Sequence, residues 1–360
     1  MHIIVVGAGL AGLTVAIALR KAGHQVTVVE AVPQIAYIGA GIQVSPNASR
    51  ILRHLGIEKY VESYCTEPVD LRMMRWENGQ KLVECPLKKP AREQYDSPYW
   101  HIHRADFHRG LSQCANERGI QTLLDSRVVE FDGIRWVAFD MPRGCPWLPQ
   151  SSTTDRPDGI NQAVGTGEDV RKAFQGWDAR LHTMLSHVDK VLQWRLYTHH
   201  EIPSWTHPSQ KMCLIGDAAH AMTPYLAQGA AMGIEDAAVL GGILAESDFC
   251  SPSELPKALA LYEKLRIKRA ARIAEASVSS RWFTHMDDGP EQIKRDEWLL
   301  VHPGIWPGHI NIRSRKEFLD ELFGYDAYAV LDAELRDARQ AKERRSTAGD
   351  GEADTRAQNA

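Results

Sequence analysis

The stretch MHIIVVGAGLAGLTVAIALRKAGHQVTVVE (residues 1–30) decides the fold of this chain. Its β-branched residues 3–6 predict a buried strand, and an apolar helix is expected from residue 10 to about 22. Residues 25–29 predict a second strand. A strand, a glycine-rich turn, a helix and a strand in this order are typical of the βαβ unit that opens a Rossmann-type α/β fold.

The turn of this unit carries Gly7, Gly9 and Gly12 in the G-x-G-x-x-G spacing. Gly7 permits a tight turn, Gly9 lets the backbone approach a pyrophosphate, and Gly12 allows the helix to pack closely on the strands. The helix N-terminus then offers free N–H groups to the phosphates. Glu30 stands at the end of the second strand, where a carboxylate accepts a hydrogen bond from a ribose hydroxyl. The segment predicts an adenine dinucleotide site, and an ordinary βαβ unit with glycines in its turn is the alternative.

The composition excludes several classes of protein. A chain of 360 residues is expected to form about two domains, and a net charge of −4 disfavours nucleic acid and anionic membranes as partners. No apolar run reaches the length of about twenty residues that a membrane span needs. Residues 2–19 lack the cationic start and the cleavage site of a signal peptide. The six cysteines are scattered, which fits a reducing compartment, so a cytoplasmic location is predicted.

The segment HRADFHRGL (residues 103–111) predicts a strand that enters a helix, with Arg104 at the helix start. An arginine there can bind phosphate or carboxylate oxygens in bidentate fashion. His101 and His103 would share one face of the strand, but neither a carboxylate nor a cysteine completes a ligand set. No metal site is therefore predicted.

A second informative segment is KMCLIGDAAHAMTPYLAQGAAMGIEDAAVLGGILAE (residues 211–246). Its buried strand, 212–215, ends at Gly216-Asp217, and an α/β sheet binds its ligand at the carboxyl ends of its strands. The loop that follows leads to a long helix of small residues whose N-terminus can face an electron-rich ring. A tightly packed strand, loop and helix without a ligand is the alternative.

The other elements are predicted from local patterns. A β-hairpin at 69–76 and 81–86 turns at Asn78-Gly79, and periodicity is lost after 131 in a run rich in proline, glycine and serine. The basic residues of a helix at 254–280 are interpreted as a solvated face. Further predictions are a helix from Pro46, a strand at 120–129, a helix near 168–186 and a strand near 190–198.

The segments GAGLAG, HRADFHRGL and GDAAHAMTPYLAQGA together resemble the class A FAD-dependent aromatic hydroxylases, and within them the salicylate hydroxylase-like monooxygenases. This resemblance implies a Rossmann-type FAD-binding domain (glutathione reductase-like, or p-hydroxybenzoate hydroxylase-like) with an inserted, truncated β-sheet substrate domain and C-terminal helices. The implied division is an FAD-binding domain at 1–68, 100–135 and 208–285, a substrate domain at 69–99 and 136–207, a helical region at 286–335 and a disordered tail at 336–360.

The same resemblance implies roles for individual residues. Pro224 would lie near the flavin ring, and Pro224 and Tyr225 are the candidate catalytic residues, whereas His220 is expected to pack the loop rather than act as a base. On the adenosine side of FAD, Gly7, Gly9 and Gly12 would bind the pyrophosphate and Glu30 would bind the ribose. Gly41 would lie at the flavin cleft, Arg104 would bind the phosphate or the ribityl chain, and Asp217 would bind a ribityl hydroxyl. Gly229 and Ala230 would face the pyrimidine edge of the ring.

The implied activity is hydroxylation of a small aromatic or phenolic substrate, in some cases with decarboxylation. In such enzymes NAD(P)H reduces the bound FAD, O₂ then forms a C4a-hydroperoxide, and the aromatic substrate takes its distal oxygen. A place in secondary metabolism follows by analogy only. Trp76, Trp100, Trp194 and Trp205 suit an aromatic pocket, but core packing explains them at least as well.

One departure from the family leaves alternatives open. Asp132-Gly133-Ile134-Arg135 resembles an Asp-Gly motif of the family but stands directly before the irregular run, so the middle region is expected to be shortened. Missing strands would expose the flavin to water, and release of hydrogen peroxide would compete with hydroxylation. The alternatives are an FAD-binding remnant without turnover and an NAD(P)H oxidase-like flavoprotein. A nicotinamide dehydrogenase is disfavoured by the second segment, and a flavin halogenase by the lack of a W-x-W-x-I-P sequence.

Overall fold

The computed structural model describes residues 1–34, 40–131, 136–139, 162–194, 196, 198, 201–302 and 315–340. The strands within these ranges are β1 (His2–Val6), β2 (Gln25–Val29), β3 (Gly41–Val44), β4 (Asp70–Met74), β5 (Lys81–Pro86), β6 (Trp100–His103), β7 (Gln121–Leu123), β8 (Trp136–Phe139), β9 (Gln162–Thr166), β10 (Lys190–Trp194) and β11 (Met212–Leu214). The helices are α1 (Leu10–Lys21), α2 (Pro46–His54), α3 (Glu58–Val61), α4 (Lys88–Tyr95), α5 (Arg104–Glu117), α6 (Gly167–Ala173), α7 (Ala179–Leu185), α8 (Asp217–His220), α9 (Gly229–Ala245), α10 (Leu255–Thr284), α11 (Pro290–Val301), α12 (Arg315–Phe323) and α13 (327–340).

A parallel sheet lies at the centre of the fold. In the described parts of the chain it has five strands in the order β11-β8-β1-β2-β7. Val5 of β1 and Val28 of β2 are fully buried, as expected for interior strands of a parallel sheet that is covered on both faces. The carboxyl ends of β1, β2 and β11 therefore lie at one edge of the sheet, and the turns that follow them meet there.

Helices α1 and α9 pack against each other through small residues. A Cβ atom placed on Gly233 would lie 2.7 Å from Cβ of Ala11, and one on Gly241 would lie 2.7 Å from Cβ of Ala18. Larger side chains at these positions would separate the two helices. The small residues of α9, which the sequence left without a specific role, thus allow a close helix–helix contact.

Two smaller sheets lie outside the central one. The hairpin β4–β5 turns at Gly79, which has a φ of +65°, as Asn78-Gly79 predicted. The hairpin packs against the end of α10 and against α11. The second apolar core so formed consists of Leu82, Val83, Cys85, Phe283 and Leu299. The other small sheet is the antiparallel pair β3–β6.

Several sequence predictions are wrong in detail. The helix expected at 168–186 is split into α6 and α7, since Gly176 adopts a φ of +85° between them. The strand expected near 190–198 ends at Trp194, and that expected at 120–129 is only the three-residue β7. The predicted disordered tail is helical at its start, because α13 continues to residue 340. The remainder of that tail lies outside the described residues.

The expected domain division also needs a correction at residue 136. Strand β8 was placed in the substrate domain, but it pairs in parallel with both β1 and β11 and so belongs to the central sheet. The motif at 132–135, which directly precedes β8, lies outside the described residues. The rest of the division stays a prediction. None of the helices in the described ranges is both long enough and apolar enough to cross a membrane.

Candidate functional site

The glycine-rich turn between β1 and α1 depends on its glycines at two positions. Gly7 adopts a φ of +98°, and a Cβ atom on Gly12 would lie 2.1 Å from the carbonyl oxygen of Gly7. Helix α1 therefore begins directly against the turn. Its N-cap is Gly9, which has no side chain to occupy the N–H groups of the first turn. Such a turn can place backbone donors and the positive end of the helix dipole at a phosphate.

Glu30 lies against this turn. Its Oε2 accepts a hydrogen bond of 2.8 Å from the N–H of Ala8, and its Oε1 accepts one of 3.0 Å from the N–H of Val32. Each carboxylate oxygen can accept a second hydrogen bond, so a ribose hydroxyl still has an acceptor there. The two backbone donors fix the position of the carboxylate next to the turn that Gly7 and Gly9 form.

His108 of α5 contacts the next peptide group of the turn, between Ala8 and Gly9. Its Nε2 lies 2.6 Å from the carbonyl oxygen of Ala8. Burial lowers the pKa of His108, which favours the neutral ring with its Nε2–H donating to that oxygen. The sequence gave this histidine no role, although HRADFHRGL contains it. The HRADFHRGL helix thus braces the glycine-rich turn.

Gly41 and Arg104 are neighbours in the structure. Gly41 of β3 pairs with His103 of β6, and the N–H of Arg104 donates to the carbonyl oxygen of Ala40 at 3.1 Å. Both Gly41 and Arg104 are exposed. The β3–β6 pair therefore brings two of the predicted site residues together on the surface.

The turn after β11 carries Gly216 and Asp217. Gly216 has φ of +57° and ψ of −142°, a conformation that side chains disfavour, and Asp217 is exposed at the start of α8. A Cβ atom on Gly233 would lie 3.6 Å from Cα of Gly216 and 2.7 Å from Cβ of Ala11. The Gly216-Asp217 turn and the start of α1 therefore meet on the same part of α9.

The loop from α8 to α9 carries the candidate catalytic residues. Pro224 is exposed at the start of a short 3₁₀ helix, and the half-buried ring of Tyr225 contacts His285 edge-on at 5.2 Å between centroids. Thr223 fixes the loop to α10 through a side-chain hydrogen bond of 2.7 Å with Ser277. Gly229 and Ala230 are half-buried in the first turn of α9.

A buried polar network supports these loops, and the sequence did not predict it. It links the start of α2, the turn after β11, the start of α9 and the middle of α10. Its members are Ser45, Asn47, His220, Gln228, Glu235, Asp236, Arg266 and Arg269.

The interpretation of the basic residues of α10 as a solvated face is wrong for two of them. The side chain of Arg266 is fully buried, and that of Arg269 is 7% exposed. They are buried because Glu235 and Asp236 stand opposite them on α9. The signal in the sequence was the pair Glu235-Asp236 itself, two acids within an otherwise apolar, small-residue helix.

Two of the tryptophans of the middle region lie in the core, and a third, Trp76, is half-buried. Trp100 and Trp205 are buried in the main apolar core, and Trp205 packs on His220. Trp76 lies near Trp177, with 5.7 Å between their ring centroids. Core packing therefore accounts for Trp100 and Trp205. The side chain of Trp194 lies outside the described parts of the chain. In the described ranges, no group of three or more His, Cys, Asp or Glu side chains is arranged to hold a metal ion.

Comparison with known proteins places this chain in a family. Residues 1–83 match a model described as pyridine nucleotide-disulphide oxidoreductase, and residues 161–277 match one described as FAD binding domain. The 3-amino-4-hydroxybenzoate 2-monooxygenase PtmB3 of Streptomyces platensis is 30% identical, over 82% of this chain and 91% of its own length. The chain belongs to the FAD-dependent aromatic hydroxylases. The FAD-dependent monooxygenase OpS4 of Beauveria bassiana is 28% identical to the present chain, over 94% of this chain and 98% of OpS4.

Solved structures share the fold of the hydroxylase. CtdE in complex with FAD and a substrate superposes with a TM-score of 0.74 over 95% of this chain and all of that chain, at 18% identity. A salicylate hydroxylase substrate complex superposes with a TM-score of 0.68 over 91% of this chain and 96% of the hydroxylase in that complex, at 17% identity. The Rossmann-type α/β fold expected from the first thirty residues is confirmed.

The hydroxylase has fewer residues than OpS4 within the matched region. The match extends over 421 positions, but 94% of 360 residues is only about 338, so about 80 positions of OpS4 have no counterpart here. That the missing positions lie in the middle region, as the irregular run after residue 131 suggests, stays a prediction.

Proposed function

We propose that this protein is an FAD-dependent monooxygenase that uses NAD(P)H and O₂ to hydroxylate a small aromatic substrate. The observation that carries the proposal is the meeting of the Gly7–Gly12 turn and the Gly216-Asp217 turn on α9. These two turns come from segments more than 200 residues apart in the chain. Together they offer backbone donors, a helix N-terminus and two carboxylates, which suit the two ends of one extended dinucleotide.

The residues present fit FAD. A Cβ atom at Gly12 would meet the backbone of Gly7, so α1 packs closely on the turn. Gly7 and Gly9 are themselves partly exposed, so a pyrophosphate could bind to their backbone. Glu30 would accept from the adenosine ribose and Asp217 from a ribityl hydroxyl. Gly41 would lie beside the flavin cleft, and Arg104 would bind the phosphate or the ribityl chain. Gly229 and Ala230 would face the pyrimidine edge of the ring.

Bound FAD would supply electron transfer from NAD(P)H and the activation of O₂. The chain would position the flavin and the substrate. The first turn of α9, with Gly229 and Ala230, would direct N–H groups and a positive helix dipole at the flavin ring. Pro224 and Tyr225 would border the space in front of the ring, and Thr223 would hold their loop on α10 through Ser277.

The substrate class follows from the relatives. They act on 3-amino-4-hydroxybenzoate, 6-hydroxynicotinate and 3-hydroxybenzoate. Each name describes a small aromatic ring with a hydroxyl group and a carboxylate. We propose a substrate of this kind for the present chain, because a ring hydroxyl makes the ring electron-rich enough to react with the electrophilic oxygen that bound FAD would generate from O₂.

The proposed location is a reducing compartment, the cytoplasm. Cys65, Cys85, Cys114, Cys213 and Cys250 are free thiols, which a reducing environment would preserve. The proposed partners are the aromatic substrate, NAD(P)H and O₂. A net charge of −4 gives no support for nucleic acid or an anionic membrane as a partner.

The absorption spectrum of the purified protein, before and after addition of FAD and gel filtration, tests cofactor binding. NAD(P)H oxidation is then followed with and without a panel of hydroxylated aromatic acids. An aromatic compound that accelerates oxidation and yields a hydroxylated product supports the proposal. Flavin-loaded protein that forms no hydroxylated product with any of them would contradict it.

A second candidate function is an NAD(P)H oxidase, which the missing 80 or so positions relative to OpS4 favour. A shortened substrate region would admit water to the flavin. In the same assay this function gives one hydrogen peroxide per NAD(P)H, with no hydroxylated product.

Replacing Glu30 with alanine is expected to weaken FAD binding by about 1 to 3 kcal/mol, because a charged acceptor for the ribose is lost. Its hydrogen bond to the Ala8 N–H is lost as well, which loosens the glycine-rich turn. The measurement is the dissociation constant of FAD from quenching of its fluorescence. Glu93→Ala, which removes an exposed carboxylate from α4, is the control. Equal constants for Glu30→Ala and Glu93→Ala would exclude the ribose role.

Replacing Asp217 with alanine is expected to weaken FAD retention about tenfold or more, because a charge-assisted hydrogen bond to the ribityl chain is lost. The bound flavin after gel filtration and the dissociation constant measure this effect. Asp248→Ala, at another exposed aspartate, is the matched control and should retain flavin as the parent does. Unchanged flavin content in Asp217→Ala would remove Asp217 from the site.

A further inference from the structure

The carboxylate of Asp236 contacts the short helix α8 at both of its ends. Its Oδ2 accepts a hydrogen bond of 2.9 Å from the N–H of Gly216 and lies 2.7 Å from Nε2 of His220. Gly216 precedes α8 and His220 is the last residue of α8. One oxygen atom of Asp236 therefore holds the whole four-residue helix that begins with Asp217.

The other oxygen of Asp236 is held by α10. Its Oδ1 accepts a hydrogen bond of 2.9 Å from Nε of Arg266, and both side chains are fully buried. Burial disfavours the ionised carboxylate, but His220 and Arg266 outweigh that effect and lower the pKa of Asp236 to about 2. Asp236 is therefore an anion with three donors around it and has no freedom to turn.

The neighbouring Glu235 connects the start of α9 to the same cations. Its Oε1 accepts a hydrogen bond of 2.7 Å from Nδ2 of Asn47, and Asn47 also donates to Oε1 of Gln228 at 3.1 Å. Gln228 is the N-cap of α9. Nη1 of Arg266 donates to Oε2 of Glu235 at 2.6 Å. The turn before α8 and the N-terminus of α9 are thus fixed to one guanidinium group.

Stability alone does not explain buried charges of this kind. Well-packed apolar side chains of similar volume are often equally or more stabilising than a buried ion pair. Apolar side chains, however, cannot accept hydrogen bonds from the N–H of Gly216 and from Nε2–H of His220, and so cannot fix the direction of these two groups. The distinct contribution of Asp236 is the orientation of the backbone from Gly216 to His220.

We propose that Asp236 is a positioning residue that sets the direction of the Asp217 carboxylate through Gly216 and His220. The inference rests on the proposed function, in which Asp217 binds the ribityl chain of FAD. Asp236 itself is buried and does not touch the cofactor. Its loss should therefore weaken FAD binding through Asp217, although every proposed cofactor-binding residue is still present.

Two substitutions of His220 separate positioning from packing. His220→Gln keeps an N–H donor near the place of Nε2 but loses the ring that packs on Trp205, at 5.3 Å between centroids. His220→Phe keeps a ring on Trp205 but has no donor for Asp236. If the hydrogen bond positions the turn, His220→Gln binds FAD within about twofold of the parent and His220→Phe binds about tenfold more weakly. If packing is what matters, the order of the two variants is reversed, and the proposal is wrong.

Asp236→Asn is the direct test. It keeps the volume but places an amide N–H₂ against donors, and we expect the dissociation constant of FAD to rise about tenfold to a hundredfold. A second measurement is the midpoint potential of the flavin in the FAD-loaded protein, which a loss of global stability alone would not change. We expect this potential to shift in Asp236→Asn and His220→Phe and to equal that of the parent in His220→Gln. Thermal unfolding of the FAD-free proteins identifies the folded fraction used in each titration.

The outcomes distinguish this inference from the proposed function. A parent that binds FAD without hydroxylating any aromatic contradicts the function, yet the dissociation constants of the variants still decide the role of Asp236. Unchanged constants and potentials in Asp236→Asn and His220→Phe overturn the positioning role even if the parent is an active hydroxylase. A parent that binds no FAD overturns both.

Discussion

Replacing Arg266 with methionine is expected to lower the free energy of unfolding by about 3 to 5 kcal/mol, because two buried carboxylates lose their shared cation. Arg266 donates to both Asp236 and Glu235, and all three side chains are fully buried. Methionine keeps only the unbranched apolar part of the arginine side chain, so the loss comes mainly from the missing guanidinium group and its charge. Urea unfolding followed by tryptophan fluorescence measures it.

The control lies on the same helix. Lys264 of α10 pairs with Glu334, but its side chain is 62% exposed. Lys264→Met should therefore cost less than about 1 kcal/mol. A loss of similar size for Arg266→Met and Lys264→Met would show that the buried network does not depend on its central charge.

At lower pH, we expect the free energies of unfolding of the parent and of Arg266→Met to differ less than they do at pH 7. In the parent, the pKa of Asp236 lies below its ordinary value of 3.8, so the stability that it contributes is present above that value and is lost as the pH falls toward 2. In the variant, the loss of Arg266 removes one of the cations that lower the pKa of Asp236 and Glu235. Both pKa values therefore rise relative to the parent, while His220 and Arg269 remain beside the two carboxylates. As the pH falls, the two carboxylates of the variant therefore bind protons and lose the buried negative charge that destabilises the fold. Unfolding free energies at pH 7 and pH 5 test this expectation.

The first thirty residues predicted their part of the fold well because each local signal agrees with the others. The residues expected to form β1, α1 and β2 do so within one or two positions, and Gly7 and Gly12 stand where only glycine fits. The predictions failed where one signal was missing. At 168–186 the apolar pattern indicated one helix, but it could not show that Gly176 would take a positive φ and divide it.

The buried network could not be predicted because its members are far apart in sequence. Asn47, Asp236 and Arg266 each have a local surrounding that fits an ordinary helix, and only the packing of α2, α9 and α10 brings them together. The amphipathic pattern of α10 therefore indicated a solvated basic face. A pair of acids in the apolar α9 was the one sign that cations from elsewhere had to be buried opposite it.

Replacing Gly12 with alanine is expected to abolish measurable FAD binding and to lower the free energy of unfolding by about 1 to 3 kcal/mol. The added Cβ atom would lie 2.1 Å from the carbonyl oxygen and 3.2 Å from the carbonyl carbon of Gly7. Both neighbours are backbone atoms, so no side-chain rotation can relieve the clash. The turn or α1 must move instead, and either movement displaces the backbone that would bind the pyrophosphate.

The intrinsic helix propensity of alanine acts in the opposite direction and makes this prediction a demanding one. Glycine to alanine within a helix stabilises by about 1 kcal/mol when the space is open, so the observed loss is what remains after that gain. Gly289→Ala is the control, because a Cβ atom at Gly289 meets nothing within 4 Å and its φ of 161° is extended. FAD binding by Gly12→Ala at the level of Gly289→Ala would mean that α1 can withdraw from Gly7 without disturbing the turn. In that case the close contact between α1 and Gly7 would serve only the packing of the fold, and cofactor binding would depend on Glu30 and Asp217 instead.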